Sequence, residues 1–135
     1  MRLSLLLLHS FAGASLGLAA ASASAGDLYV VANPGVTLSA DELREVFLGD
    51  KQFAGGVKLV PVENASLQAE FQSRVLKIDP ARYASLWSKK GFREGLTSPP
   101  VRVSDADVIN GLKAVPGIVG YVSKPTPDVR IIGKY

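Results

Sequence analysis

The sequence contains no cysteine and only one histidine, His9. Without cysteine the chain can form no disulfide, carries no thiol nucleophile and offers no thiol for a lipid anchor. His9 lies in an N-terminal segment that we expect to be removed. The rest of the chain therefore lacks histidine-assisted nucleophiles and the usual zinc ligands. No carboxylates or lysines stand in a recognisable catalytic motif, so we predict a protein that is not an enzyme and needs no cofactor or metal.

The N-terminal segment has the pattern of a secretory signal peptide. Arg2 precedes a short apolar stretch, and Ala23-Ser24-Ala25 fits the small-residue cleavage pattern. Polar and small residues interrupt the apolar stretch, which argues against a membrane anchor. We expect cleavage after Ala25, which would leave residues 26–135 as one soluble domain. The expected compartment is the periplasm, with secretion as the alternative.

The charge of the predicted mature chain is nearly balanced. Removal of Arg2 takes one of 15 basic residues and none of the 12 acidic ones, which leaves a net charge of +2. Only Lys89, Lys90 and Arg93 cluster, and a solvated helix end explains that cluster better than nucleic-acid binding. We therefore predict no nucleic-acid partner.

Helical and strand patterns alternate along residues 26–135. Ser39 and Glu42 form a capping box, Asp79-Pro80 reads as a second helix start, and Ser104 as a third. Another helix is predicted over residues 66–76. The predicted strands cover residues 28–33, 57–62, 101–103, 118–123 and 129–135. The final two are joined too tightly for a crossover helix, so we expect them to pair antiparallel or the last one to leave the sheet. The order predicts an α/β fold, a mixed sheet flanked by helices.

Three ordered segments resemble the phosphate-binding component of phosphate ABC transporters. They are "LSADELREVFLGD" (38–50), "FQSRVL" with "YASLW" (71–87), and "VSDADVINGLKAVPGIVGYV" (103–122). The resemblance implies a type 2 periplasmic-binding-protein fold. The chain is similar to small single-domain members of that group. Full family members have two lobes that close on the ligand, whereas this chain has material for a single three-layer-like lobe.

The resemblance also implies a location for the ligand site. The family surrounds phosphate with an arginine, glycines, a serine and a threonine at a helix start, where this chain has "VENASLQAEF" (62–71). Ser66 matches the serine. Ala65 and Leu67 replace the glycines, Gln68 replaces the threonine, and Val62 or Glu63 stands near the place of the arginine. A carboxylate there would repel phosphate.

Two interpretations of this stretch remain open. Asn64, Ala65, Ser66 and Leu67 can hold phosphate or another small anion through helix-terminal amides. Alternatively, Asn64 or Ser66 only caps the helix. Arg102 and Lys124, near strand ends, are further candidates to face an anion, whereas Trp87 and Tyr121 are expected in the core or at its rim.

Two functions follow from the resemblance. The first is a periplasmic solute-binding-like protein that works with a membrane transporter or receptor and binds without chemistry. The alternative is a protein-interaction module, a lobe that docks another protein or forms a homo-oligomer. No membrane-spanning segment is expected after cleavage.

Overall fold

The computed structural model describes residues 26–135, so the predicted signal peptide lies outside the described residues. The strands are short: β1 (Tyr29–Ala32), β2 (Phe53–Ala54), β3 (Val57–Lys58), β4 (Val60–Pro61), β5 (Glu63–Asn64), β6 (Val101–Arg102), β7 (Ile118–Val122) and β8 (Arg130–Lys134). The α-helices are α1 (Leu43–Phe47), α2 (Gln68–Phe71), α3 (Pro80–Glu94) and α4 (Asp105–Ala114). A 3₁₀ turn, Ala40–Glu42, precedes α1, and a π-helical turn, Gln72–Leu76, follows α2.

The main sheet has four strands in the order β4-β7-β1-β8. β1 pairs antiparallel with both β7 and β8, while β4 pairs parallel with β7. The last two strands were expected to pair antiparallel, or the last one to leave the sheet, and both expectations are wrong. β8 stays in the sheet, but it pairs with β1 and not with β7. The turn after β7 passes across the end of β1, so β7 and β8 run parallel without pairing. This is a mixed sheet, as predicted.

Helices cover both faces of the sheet, because strand side chains alternate between the faces. One core joins the sheet to α1, α2 and α3 through large side chains that include Phe47, Phe71, Trp87 and Tyr121. A smaller core joins the other face to α4 through Val108, Ile109 and Leu112. The result is a three-layer α/β lobe with a mixed sheet between helices.

The predicted helix starts are confirmed. The Ser39 backbone N–H and hydroxyl both donate to Glu42 Oε1, at 3.1 and 3.0 Å. Lys51 and the Ser39 donors lower the pKa of Glu42 to about 2. Asp79 Oδ1 accepts from the amide of Ala81 at 2.8 Å, with Pro80 next to it. Ser104 Oγ accepts from the amide of Asp107 at 3.3 Å.

The strand predicted over residues 57–62 is one extended run that changes partner twice. Its first part pairs with β2 around a turn at Gly55-Gly56, which both have positive φ. Its middle pairs with β7, and its last part, β5, pairs parallel with β6. Pro61 has no N–H to donate, which restricts this part of the run to the sheet edge. The run therefore leaves the main sheet and delivers Glu63 and Asn64 to the start of α2.

Two glycines in or next to β7 let neighbouring elements approach closely. A Cβ on Gly120 would lie 2.6 Å from Val108 Cγ1 on α4 and 3.0 Å from Val62 Cγ2. A Cβ on Gly117 would lie 1.9 Å from the carbonyl oxygen of Lys58 on β3. Contacts this short do not occur, so α4 and the extended run over residues 57–62 can pack at these distances only against glycine.

Candidate functional site

The short strand β5 presents two buried polar side chains to opposite sides. Glu63 is 2% exposed and Asn64 is fully buried. Successive strand residues point to opposite faces, so the two side chains serve different surroundings. Glu63 faces α2 and α3, whereas Asn64 faces the beginning of α4.

The Asn64 side chain is fully engaged within the protein. Its Nδ2 donates to Asp105 Oδ1 at 2.9 Å and to the carbonyl oxygen of Tyr121 at 3.0 Å. Its Oδ1 accepts from the Ser66 amide at 3.2 Å and from the Ser66 hydroxyl at 2.6 Å. Asn64 therefore joins β5, β7 and α4 and closes a tight turn with Ser66.

The amides at the predicted anion site donate to protein acceptors. The Ala65 amide donates to the carbonyl oxygen of Arg102 at 2.8 Å, and the Leu67 amide to that of Asn64 at 3.0 Å. Leu67 itself occupies the N-cap position of α2 and makes no side-chain cap bond. The expectation that Asn64 or Ser66 caps this helix is therefore wrong, because their side chains close the preceding turn instead. Anion binding at Asn64, Ala65, Ser66 and Leu67 stays a prediction.

Glu63 accepts three hydrogen bonds from neutral donors. Tyr83 Oη lies 2.9 Å from Oε1, while Gln68 Nε2 and Tyr121 Oη lie 2.6 and 3.3 Å from Oε2. Burial raises the pKa of Glu63, and these donors only partly oppose that effect. Burial, and then the nearby Glu63 charge, raises the pKa of both tyrosines, which remain hydrogen-bond donors at physiological pH.

An open cleft of about 610 Å³ lies above Glu63, between the α2 region and α3. We call it the Glu63 cleft. Its lining combines one carboxylate with neutral polar and apolar side chains: Glu63, Gln68, Ala69, Gln72, Pro80, Tyr83, Ala84, Trp87, Ser88, Ser98, Pro99 and Val101. Gln72, on the same wall, is 8% exposed. The cleft thus combines one carboxyl group with neutral amide, hydroxyl and apolar groups.

A second groove of about 810 Å³ runs along α3 and is basic. Arg82, Lys89, Lys90 and Arg93 line it together with Glu94. Lys90 pairs with Asp50 at 2.5 Å, which holds the end of α3 to the loop after α1. Lys89 and Arg93 are exposed, as expected for a solvated helix face, whereas Lys90 is half-buried beside Asp50.

The other residues singled out from the sequence are distributed around the lobe. Tyr121 stacks on Phe71 with ring centroids 3.9 Å apart, and Trp87 Nε1 donates to the carbonyl oxygen of Phe47 at 3.2 Å. Both are core residues, as expected. Arg102 lies 3.8 Å from Asp107 Oδ1, so it is turned toward the start of α4.

Sequence reasoning noticed Glu63 only as a replacement for an arginine, and it passed over Gln72 and Tyr83. One signal was available, because a carboxylate directly after an apolar run such as "VKLVPV" indicates a charge carried into the core. Gln72 gave no signal, since a glutamine within a helix is ordinarily exposed.

Residues 26–135 show neither a cluster of metal ligands nor a helix that could cross a membrane. Within that range no three histidine, cysteine, aspartate or glutamate side chains lie close enough to hold a metal ion. None of the helices in that range is both long and apolar enough to cross a membrane.

Comparison with known proteins supports the fold alone. No family model matches the chain, and no curated protein matches it in sequence. Among solved structures, the chain is similar to an ABC-type phosphate transport receptor from Vibrio cholerae, with a TM-score of 0.51 and 15% sequence identity. The match covers 78% of this chain and 44% of the receptor, so the chain spans less than half of the receptor's length. The chain therefore shares its fold with part of that receptor.

Proposed function

We propose that the chain is an exported solute-binding-like lobe that acts in the periplasm and binds without catalysis. The observation that carries this proposal is the fold shared with a phosphate transport receptor. The open Glu63 cleft and the basic groove on α3 supply surfaces on which a solute can bind. A membrane transporter or receptor is the proposed partner.

The proposed ligand is phosphate or another small anion at Asn64, Ala65, Ser66 and Leu67. Support comes from the place of these residues in the resemblance and from the exposure of Ala65 and Ser66. The Ser66 hydroxyl and amide both donate to Asn64 Oδ1, so an anion must draw both donors away from that oxygen. We expect the resulting affinity to be weak, because the arginine of the family pattern is absent.

A single lobe also needs a second wall. Ligand pockets usually bury most of the ligand surface, which an open face cannot do. We propose that another polypeptide supplies this wall, either a second copy of the chain or the partner transporter.

An interaction module is the second candidate, and exposed apolar side chains favour it. Phe92 is 92% exposed and Val103 is 76% exposed. Large apolar side chains left in water often mark surfaces that dock another protein. Under this candidate the lobe binds a protein and needs no small ligand.

A phosphate titration of the exported chain tests the anion proposal. Trp87, the only tryptophan, reports binding by fluorescence, and the melting temperature reports it independently. Phosphate at about 100 times its Kd should add about 2.7 kcal/mol to the free energy of unfolding. Sulfate at equal ionic strength is the control for salt effects.

Two variants locate the anion. Ser66→Ala should weaken the phosphate response, whereas Lys89→Gln on α3 should leave it unchanged. The reverse result would place the anion in the basic groove of α3. No response at millimolar phosphate in either readout would contradict the anion proposal, and a dimer or captured partner would then favour the interaction module.

A further inference from the structure

We propose that the Glu63 cleft binds a cationic nitrogen group, an ammonium or a guanidinium. This inference goes beyond the proposed anion binding, because it concerns the opposite face of β5 and a ligand of opposite charge. It rests on three separate features of the cleft: its carboxylate, an accessible side-chain amide and its aromatic walls.

The first feature is a carboxylate without a counter-ion. Glu63 is the only charged side chain that lines the cleft among the described residues. All three of its hydrogen-bond donors are neutral, namely Tyr83, Gln68 and Tyr121. Buried carboxylates are normally paired with a cation or a metal ion. A ligand cation would supply the missing charge, whereas an anion in the same cleft would be repelled.

The second feature is the side-chain amide of Gln72. Gln72 lines the same cleft and is 8% exposed. Every buried side-chain nitrogen and oxygen among residues 26–135 has a hydrogen-bond partner, so a Gln72 amide atom without a protein partner is one that the open cleft can reach. Its carbonyl oxygen can accept a hydrogen bond from an ammonium or guanidinium, which carries only donors.

The third feature is the aromatic wall formed by Tyr83 and Trp87. The polar atom of each ring is already bonded, since Trp87 Nε1 donates to the carbonyl oxygen of Phe47 and the single Tyr83 hydroxyl proton is given to Glu63 when that group is ionised. What these side chains can offer a ligand is therefore ring surface. Aromatic rings attract cations, and tryptophan does so most strongly.

The dimensions suit a small solute. A volume of about 610 Å³ falls in the usual range for small-molecule sites. The same chemistry can come from a free amine or from a lysine or arginine side chain of another protein. Both sources present the same nitrogen group to Glu63, and the experiment can separate them.

The experiment is a fluorescence titration of Trp87, which lines the cleft. The probes are n-butylammonium and methylguanidinium chloride at about pH 8, where both probes stay cationic. Sodium butyrate at matched ionic strength controls for the alkyl chain and for salt. A capped lysine tripeptide tests the side-chain source, and tighter binding of the peptide than of the free amine would assign the cation to a protein partner.

Three variants make the titration specific. Glu63→Gln removes the charge and should weaken binding of both cations about tenfold or more. Gln72→Met keeps the size of the side chain, removes the amide, and should weaken binding about threefold to tenfold. Glu45→Gln removes an exposed carboxylate that does not line the cleft, and its affinity should equal that of the unmodified protein.

Two results would overturn the inference. One is the absence of any saturable response to all cationic probes, and the other is a response that Glu63→Gln and Gln72→Met leave unchanged. If Glu63→Gln does not fold, Gln72→Met alone decides. Phosphate is titrated into the same samples, so loss of the phosphate response and loss of the cation response are read separately.

Discussion

Replacement of Asn64 by alanine should destabilise the protein more than removal of an ordinary half-buried asparagine. The Asn64 side chain is fully buried and takes part in four hydrogen bonds, which reach Asp105, Tyr121 and Ser66. Each intramolecular hydrogen bond contributes about 1 kcal/mol net, and partners left unsatisfied in the interior add to the loss. The two bonds to Ser66 are less buried and should count for less. We therefore expect Asn64→Ala to lower the free energy of unfolding by about 3 kcal/mol.

Asn33→Ala is the matched control. Asn33 is only half-buried, donates to the carbonyl oxygen of Leu112 at 3.2 Å and accepts from the Gly35 amide at 2.9 Å. Its loss should cost about 1 kcal/mol. Urea unfolding followed by Trp87 fluorescence measures both variants, provided that the denaturant slope is unchanged. Equal losses for Asn64→Ala and Asn33→Ala would refute the role of Asn64 as the junction of β5, β7 and α4.

Three further perturbations test other parts of the lobe. Burial raises the pKa of Glu63 above its ordinary value of 4.5, so the contribution of Glu63 to stability should be greatest below that value and fall as pH rises through the native pKa. Glu63→Gln should remove this fall, which urea unfolding at several pH values measures. If the stability difference between the variant and the unmodified protein stays the same at every pH, the raised pKa of Glu63 is contradicted. Gly120→Ala should cost about 1–3 kcal/mol by calorimetry, because the added Cβ meets Val108 at 2.6 Å. Gly26→Ala, where nothing lies within 4 Å, is its control. Asp79→Ala should cost about 1 kcal/mol in urea unfolding by loss of the α3 cap, and an unchanged midpoint would argue against that cap.

The local signals in the sequence were sufficient for the fold class and for most helix starts. The side chains of Glu42, Asp79 and Ser104 accept hydrogen bonds from amides within three residues, so their roles depend little on the rest of the chain. The alternation of helices and strands likewise predicted a mixed sheet between helices. These features follow from short-range chemistry and from the period of the apolar residues.

The position of β8 depends on long-range pairing and could not be predicted locally. A short connection after β7 is compatible with a hairpin, yet β8 pairs with β1 at the other side of the sheet. Its C-terminal neighbour Tyr135 exchanges two backbone hydrogen bonds with Leu28, at 2.9 and 2.8 Å, which extends the β1–β8 pairing. Whether β8 pairs with β1 or with β7 therefore depends on the pairing of the whole sheet and not on the turn alone.

The Glu63 cleft also required the three-dimensional structure. Glu63, Gln72 and Trp87 come from β5, the π-helical turn and α3, and no sequence spacing relates them. Sequence reasoning concentrated on Asn64 to Leu67 because the resemblance placed a ligand there. In the fold, the amides of Ala65, Ser66 and Leu67 donate to neighbouring backbone or to Asn64, while the adjacent residue Glu63 opens toward a cleft.

The proposal that this lobe binds a solute is tested most directly by nitrogen–proton correlation NMR of residues 26–135 during ligand titration. Addition of n-butylammonium should shift a contiguous set of resonances around Glu63, Gln72 and Trp87. Addition of phosphate should shift a separate set around Ala65, Ser66 and Leu67. Saturable shifts confined to either set would support a binding lobe, and the residues that move would identify its ligand. Spectra that stay unchanged through both titrations would contradict the account.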